Sequence, residues 1–165
     1  MIVRPDRRFL LSHPAHLLAL GFGTGLAPVA PGTVGTLLGF PFYWLLAWWL
    51  GPVEILIAAA AMFVLGIWAC QKTGDDMGIA DHSGMVWDEV VAFIVILVFT
   101  PAGWFWQAFA FFAFRFFDVI KPPPIREADR RWKGGFGVMF DDILAAGYTL
   151  LLMAVARRVL PDGVF

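Results

Sequence analysis

The chain has 165 residues, of which 60% are hydrophobic and only 15% are charged, with a formal net charge of −1 and a mean hydropathy of +0.76. An ordinary soluble domain has roughly 25% charged residues, and a domain of about 150 residues hides only about 70% of its unfolded surface. The composition therefore excludes an ordinary soluble domain and predicts a single membrane-embedded domain over residues 1–165, with no nucleic-acid partner.

The N-terminal segment is basic but does not have the pattern of a cleaved signal peptide, because His13 and Pro14 interrupt the stretch that follows its arginines. We therefore expect the segment to remain part of the protein. The next stretch, GFGTGLAPVAPGTVG at residues 21–35, contains five glycines and two prolines. This composition predicts a loop rather than a membrane span.

Uncharged runs mark the candidate membrane spans, at residues 17–53, 55–71, 90–114 and 143–156. Backbone groups in hydrocarbon need internal hydrogen-bond partners, so we expect helices where these runs cross the membrane. The first helix is predicted from about Thr36 to Leu50, and the second from Val53 to Cys70 after a Gly-Pro break. Cys70 is the single cysteine, so the chain has no internal disulfide, and we expect it to be a buried small hydrophobe.

The run at residues 90–114 allows two interpretations. Its 25 residues are long enough for one span, but the sequence TPAG at 100–103 is typical of a turn. A hairpin places ten of the twelve Lys and Arg residues on one side, whereas a single helix moves six of them across. The positive-inside rule therefore favours a hairpin, with helices at 86–99 and 104–118 and the basic side in the cytoplasm.

The two helices of this hairpin have only 14 and 15 residues. They would extend about 21–23 Å, less than the ~30 Å hydrocarbon core, so we expect local thinning or burial among other helices. Tryptophans at positions 44, 48, 49, 104 and 106 are typical of an aromatic belt on the far side. The predicted fold is an all-α integral membrane protein of about five short helices, with an N-terminal Gly/Pro-rich loop and polar loops gathered on the cytoplasmic face.

Acidic residues from several segments gather on the predicted cytoplasmic face. They follow the second helix, begin the third, end the fourth and begin the last: Asp75, Asp76, Asp81, Asp88, Glu89, Asp118, Asp141 and Asp142. Each group alone has a structural explanation, because acids at helix starts offset the helix dipole and Arg115 can pair with Asp118. Ionisable groups at the edge of hydrocarbon are costly, however, so their convergence predicts a functional site.

The two acidic pairs, at residues 88–89 and 141–142, would repel each other by an amount that grows in low dielectric. A divalent cation would remove that repulsion. The available donors are oxygens, without a Cys or His cluster, which favours Mg²⁺ over Zn²⁺. Mg²⁺ commonly binds one or two carboxylates together with a substrate phosphate, so the acidic pairs also indicate a phosphorylated substrate.

A glycine-rich helix start adds to the phosphate hypothesis. Pro31, Gly32 and Thr33 open a predicted helix whose backbone N–H groups can face an anion, although the pattern is not a Walker A loop. Arg115 and Lys121 supply positive charge for the same anion. A substrate with an ionic head and lipid tails would lie naturally at this depth.

Four segments resemble the bacterial phosphatidylglycerophosphatase A family: HPAHLLALGFGTGLAPVAPGTVGTLLGFPFYW (13–44), DDMGIADHSGMVWDE (75–89), FRFFDVIKPPPI (114–125) and GGFGVMFDDILAAG (134–147). The resemblance extends from about Pro14 to Val159. It implies a Mg²⁺-dependent phosphatase of the bacterial inner membrane, multi-pass, with its active site facing the cytoplasm. The implied reaction converts phosphatidylglycerol phosphate to phosphatidylglycerol and inorganic phosphate.

Metal-assisted hydrolysis of a phosphomonoester is the mechanism that these residues and the resemblance predict. The expected metal ligands are Asp88, Glu89, Asp141 and Asp142. The expected catalytic residues are Asp76, Asp88, Asp118, Asp142 and Arg115, with Asp118 or Asp76 as the base or the group that positions water. The expected substrate-binding residues are Pro31, Gly32, Thr33, Arg115 and Lys121. His82 is a weaker candidate for protonating the leaving oxygen, and attack by water or by an aspartate both stay open.

Two other classes of protein remain compatible with these patterns. One is a metal-dependent phospho-alcohol transferase of lipid metabolism, which would need a nucleotide-linked donor. The other is a non-catalytic membrane protein whose acids merely bind ions. The expected partners are the membrane and an anionic phospholipid substrate, and the sequence does not predict an oligomeric state.

Overall fold

The computed structural model describes residues 3–159. Within that range the chain is all-helical, with eight α-helices, one 3-10 helix and no strand. In chain order the elements are α1 (Arg7–Ser12), α2 (Pro14–Ala19), the 3-10 helix (Gly21–Leu26), α3 (Pro31–Trp49), α4 (Pro52–Met77), α5 (Trp87–Phe99), α6 (Trp104–Ile120), α7 (Ile125–Arg131) and α8 (Gly134–Val159). The all-α prediction is confirmed.

The predicted number of about five short helices is wrong. Five long helices correspond to the uncharged runs, but two of them, α4 and α8, reach 26 residues each. The remaining four elements are short and lie in stretches that the sequence predicts as loops or arms. Local signals form them: the Asp6 side chain accepts a hydrogen bond from the Phe9 backbone N–H at 2.8 Å and caps α1, while Pro14 opens α2.

Three helix boundaries differ from the prediction. α3 begins at Pro31 rather than near Thr36, because proline suits the first helical position. α4 continues beyond Cys70 to Met77 and ends at Gly78, which is left-handed with φ 71°. α8 begins at Gly134, so the acidic pair at 141–142 lies two turns inside the helix rather than at its start.

The hairpin at residues 87–120 is confirmed. α5 ends at Phe99 and α6 begins at Trp104, after Gly103 with φ 115°, a backbone conformation that favours glycine. The two helices are antiparallel, since Glu89 in the first turn of α5 lies 3.4 Å from Arg115 near the end of α6.

α5 is the central helix and packs against α3, α4, α6 and α8. Ten of its thirteen residues are buried, which explains how a helix only about 20 Å long is accommodated. Ala92, Phe93, Ile96 and Leu97 join one half of the core with α6 and α8, while Val90, Val91 and Ile94 join the other half with α4.

Within residues 3–159, two helices are long and apolar enough to cross a membrane by length and composition: α4, with a mean hydropathy of 2.3, and α8, with 1.7. These values describe an 18-residue window in each helix. The apolar helices suggest membrane association. At the α3–α4 and α5–α6 ends, Trp48, Trp49 and Trp104 are 80–82% exposed, as an aromatic belt would be.

Candidate active site

A cavity of about 210 Å³ opens where the starts of α3 and α5 meet the end of α6 and the second turn of α8. The loop between α4 and α5 closes one side. The cavity contains nine of the eleven residues that the sequence predicts for the site: Pro31, Gly32, Asp88, Glu89, Arg115, Lys121, Asp118, Asp141 and Asp142. Four separate helices therefore bring the predicted residues together.

Three carboxylates form a compact cluster at the bottom of this cavity. Asp88 and Glu89 come from the first turn of α5, and Asp142 comes from the interior of α8. One oxygen from each lies within 4.8 Å of the others, although all three residues are only 2–8% exposed. Helix capping does not explain Asp142, because it lies far from the N-terminus of α8.

Some carboxylate oxygens of this cluster have no hydrogen-bond partner among the described residues. Oxygens Asp88 Oδ1, Glu89 Oε2 and Asp142 Oδ2 are buried and have no hydrogen-bond partner anywhere in residues 3–159. Burying a charged oxygen without a partner is expensive, and clustered carboxylates repel each other. A hard divalent cation such as Mg²⁺ prefers oxygen donors of this kind, so the residues present fit such an ion.

Arg115 connects three helices beside the acidic cluster. Its Nη1 atom lies 2.6 Å from Asp118 Oδ2, and it donates to Glu89 Oε1 and Thr36 Oγ1, both at 3.4 Å. Thr36 in turn donates to the Gly32 carbonyl at 2.9 Å. The guanidinium therefore fixes the first turns of α3 relative to α5 and α6, and it offsets part of the negative charge.

Lys121 provides a second positive charge at the rim. It adopts a left-handed backbone conformation with φ 46° just after α6 and pairs with Asp141 and, at 3.3 Å, with Asp129. Burial lowers the pKa of Lys121, but the neighbouring carboxylates of Asp141 and Asp129 raise it by more. The net shift is upward, so the ammonium is charged at neutral pH.

The N-terminus of α3 faces the cavity through Pro31 and Gly32. A Cβ at position 32 would overlap Glu89 Oε1 and lie 2.9 Å from Arg115 Nη2, so any other residue here would have to displace at least one of these two side chains. The first backbone N–H groups of a helix have no partner within the helix and can bind an anion. Thr33, the third residue predicted here, does not line the cavity.

Asp76 is the one predicted catalytic residue that lies elsewhere. It is in the last turn of α4, where its Oδ2 atom is 2.8 Å from His16 Nε2 and pairs with Lys72. Its neighbour Asp75 accepts a hydrogen bond from Gln71 Nε2 at 2.9 Å. Neither residue lines the cavity, so the catalytic role of Asp76 stays a prediction without support from its position.

Sequence reasoning does not assign a role to Ser83 or Asp129, yet Ser83 lines the cavity and Asp129 contacts Lys121. The position of Ser83, in the polar loop shortly before the acidic pair of α5, is the signal that could have identified it. His82 also lines the cavity, and its Nδ1 atom accepts a hydrogen bond from the Gly84 N–H at 2.9 Å.

Buried carboxylates beside an arginine, a lysine and an open helix start define an all-helical protein equipped to hold a divalent cation and an anionic ligand. The chain belongs to the phosphatidylglycerophosphatase A family, whose sequence model matches residues 17–157. This match covers every residue of the cavity.

Relatives of similar length support the family assignment. Phosphatidylglycerophosphatase A of Haemophilus influenzae is 46% identical over 150 residues, covering 90% of this chain and 92% of the relative. The protein of the same name from Escherichia coli is 42% identical over 142 residues, covering 84% and 80%. A putative phosphatidylinositol-3-phosphatase of Bacteroides thetaiotaomicron is 42% identical over 152 residues, covering 87% and 94%. No solved structure matches the chain.

Proposed function

We propose that this protein is a Mg²⁺-dependent lipid phosphatase, which hydrolyses the terminal phosphomonoester of phosphatidylglycerol phosphate to phosphatidylglycerol and inorganic phosphate. One observation carries the proposal: the carboxylates of Asp88, Glu89 and Asp142 converge beside Arg115, and one buried oxygen of each has no hydrogen-bond partner within residues 3–159. Membership of the phosphatidylglycerophosphatase A family supports the choice of substrate.

The residues that would hold the metal are Asp88, Glu89 and Asp142, with Asp141 next to them. When bound, Mg²⁺ supplies positive charge that polarises the phosphoryl oxygens. Asp141 is already paired with Lys121, so its role differs from that of Asp142. We propose that Asp141 positions the Lys121 ammonium at the rim of the cavity.

Arg115 and the start of α3 bind the phosphoryl group in this proposal. The Asp118 carboxylate holds the guanidinium in place at 2.6 Å, so the N–H groups are oriented before substrate arrives. Such preorganised donors stabilise the charge that develops on phosphoryl oxygens without reorganisation during the reaction. The backbone N–H groups that follow Pro31 add donors from a second direction.

Asp118 is a better candidate than Asp76 for the group that accepts a proton from an attacking water, because only Asp118 lines the cavity. The water oxygen would form a bond to phosphorus while the bond from phosphorus to the ester oxygen breaks. The leaving glycerol oxygen takes up a proton. His82 lies in the same cavity, and because its Nδ1 atom accepts from the Gly84 N–H, its neutral ring carries a hydrogen at Nε2 and would donate a hydrogen bond to the leaving oxygen. The proton that Asp118 takes from the water balances the proton that the leaving oxygen gains.

The proposed setting is the bacterial inner membrane, with several spans and the cavity on the cytoplasmic side. Apolar helices α4 and α8 support this. Lys72, Arg115, Lys121 and the three arginines of α7 lie near the cavity end of the helices, whereas Arg157 and Arg158 lie at the opposite end of α8. The basic bias on the cavity side agrees with a cytoplasmic location.

A second candidate substrate is a phosphoinositide, because a relative at 42% identity is named a putative phosphatidylinositol-3-phosphatase. Both lipids present a phosphomonoester on a polar headgroup, and the cavity would bind that group in the same way. The two substrates differ in the alcohol that leaves.

Phosphate release by the purified protein in detergent micelles tests the proposal. The assay compares phosphatidylglycerol phosphate with phosphatidylinositol 3-phosphate, each with Mg²⁺. We expect rapid release from the first and slow release from the second. The reverse order would assign the protein to phosphoinositides, and no release from either lipid would refute the phosphatase activity itself.

A further inference from the structure

Three aromatic rings meet between α3, α5 and α6, directly below the charged cluster. The ring centroid of Phe40 lies 4.9 Å from that of Phe93 and 6.3 Å from that of Phe111, and Phe93 and Phe111 are 5.9 Å apart. We call these three rings, Phe40 of α3, Phe93 of α5 and Phe111 of α6, the aromatic seam. Phe93 is fully buried, whereas the other two rings are half-buried.

The aromatic seam is continuous with the cavity. Residues four apart on a helix lie on the same face, about one turn or 5.4 Å from each other. Each ring is therefore one turn away from a side chain of the charged cluster: Phe40 from Thr36, Phe93 from Glu89, and Phe111 from Arg115. Arg115 contacts both Thr36 and Glu89 and so joins α6 to α3 and α5. The aromatic seam joins the same three helices one helical turn away from the charged cluster.

The outer side of the seam is apolar and open. Leu37 and Trp44 of α3 and Phe112 of α6 are 49%, 53% and 70% exposed. The chain has no charged residue from 17 to 53 or from 90 to 114. A molecule bound along the outer side of the seam would contact the charged residues of the cavity at one end and only apolar side chains along the remainder of its length.

We infer that the aromatic seam binds the acyl chains of the lipid substrate and lets the lipid enter the cavity sideways between α3 and α6. The inference rests on the proposed function, because it takes the substrate to be a lipid with a phosphomonoester headgroup. The arrangement matches that amphiphile: Arg115 and the carboxylates receive the phosphate, and Phe40 and Phe111 contact the tails.

A second apolar groove does not meet the same conditions. It has a volume of about 490 Å³ and lies between α4, α5 and α8, with Phe63, Phe136 and Phe140 among its lining residues. Phe140 and Asp142 are two residues apart on α8 and so point about 200° apart around the helix. The body of α8 therefore separates this groove from the acidic cluster, and we use it as the control site.

The first experiment compares Phe40→Leu and Phe111→Leu with Phe136→Leu, each assayed on long-chain phosphatidylglycerol phosphate and on its deacylated, water-soluble headgroup. Leucine keeps the sites apolar, which guards against misfolding. We expect the two seam variants to lose about tenfold in kcat/KM on the lipid, from weaker apolar contact, with the headgroup unaffected. Phe136→Leu should match wild type on both substrates. Equal losses on both substrates, no loss in the seam variants, or an equal loss in Phe136→Leu would overturn the inference.

The second experiment separates this inference from the proposed function. A photo-crosslinking amino acid at position 40, 111 or 136 is irradiated in vesicles that contain the lipid with a radiolabelled acyl chain, and excess unlabelled lipid competes. We expect competed crosslinks at 40 and 111 but not at 136. Crosslinks only at 136 would refute the seam while leaving phosphatase activity untouched. Absence of phosphate release by wild type would instead refute the proposed function.

Discussion

Gly32 of α3 lies against the Glu89 carboxylate of α5, so closely that a Cβ at position 32 would overlap Glu89 Oε1. The same Cβ would lie 2.9 Å from Arg115 Nη2. Because the start of α3 lies this close to the Glu89 carboxylate and the Arg115 guanidinium, the first backbone N–H groups of α3 lie next to the cavity.

The Gly32→Ala substitution tests this contact. The added methyl must displace either the carboxylate or the guanidinium, and a misplacement of about 1 Å can lower a rate by about 100-fold. We expect phosphate release to fall by that order while the helical content measured by circular dichroism stays unchanged. Gly147→Ala in α8 is the matched control, since nothing lies within 4 Å of its Cβ position. A Gly32→Ala enzyme as active as Gly147→Ala would contradict the role of this close approach.

Asp142→Asn tests the acidic cluster. The change keeps the size of the side chain but removes a charge that the proposed cation requires, so we expect phosphate release to fall by at least about 100-fold. Glu54→Gln, an exposed acid in the first turn of α4, is the control and should keep wild-type turnover. If Asp142→Asn released phosphate at the wild-type rate, the cluster would have no part in the chemistry.

Asp76 is expected to stabilise the fold through His16, which is only 3% exposed. Asp76→Ala leaves the His16 Nε2 atom without its partner, so we expect the free energy of unfolding to fall by about 1–3 kcal/mol. Asp76→Asn keeps an oxygen acceptor and should recover most of that loss. Thermal unfolding in detergent measures the difference. A stable Asp76→Ala protein that cannot release phosphate would instead restore the catalytic role predicted from the sequence.

The long helices were predictable because uncharged runs identify them. Hydropathy shows where apolar residues end, however, and not where a helix ends. Backbone hydrogen bonding carries α4 through polar residues to Met77, and Pro31 starts α3 inside a stretch rich in glycine. Hydropathy also does not report the Asp6 cap that begins α1, or the packing of α7 against α8.

The convergence at the site was predictable for a different reason. Placing acidic residues at the edge of apolar runs costs free energy, so their positions along the chain predict that they form a common site. The contact between Asp76 and His16 was not predictable, because the two residues are 60 apart in sequence. The depth of Asp142 within α8 was also missed, because the last helix was predicted to begin at the acidic pair, whereas it begins at Gly134. Gly135 allows α8 to lie close to α4, because a Cβ at this position would overlap the Ile67 carbonyl oxygen.

Labelling of an introduced cysteine tests the orientation in the membrane. Ala102 lies in the exposed turn between α5 and α6, and Ala80 lies in the exposed loop on the cavity side. With a membrane-impermeant thiol reagent on intact spheroplasts, we expect Ala102→Cys to be labelled and Ala80→Cys to be labelled only after lysis. The native chain is the control, because its Cys70 is buried. Labelling of Ala80→Cys but not Ala102→Cys before lysis would invert the proposed orientation.

We propose that carboxylates from α5 and α8 hold a divalent cation on which phosphate release depends. The most direct measurement is phosphate release from phosphatidylglycerol phosphate by the purified protein, first treated with EDTA and then titrated with MgCl₂. We expect loss of turnover with the chelator and full recovery with Mg²⁺, with no recovery in Asp142→Asn at the same concentrations. Turnover that persists in EDTA would contradict it.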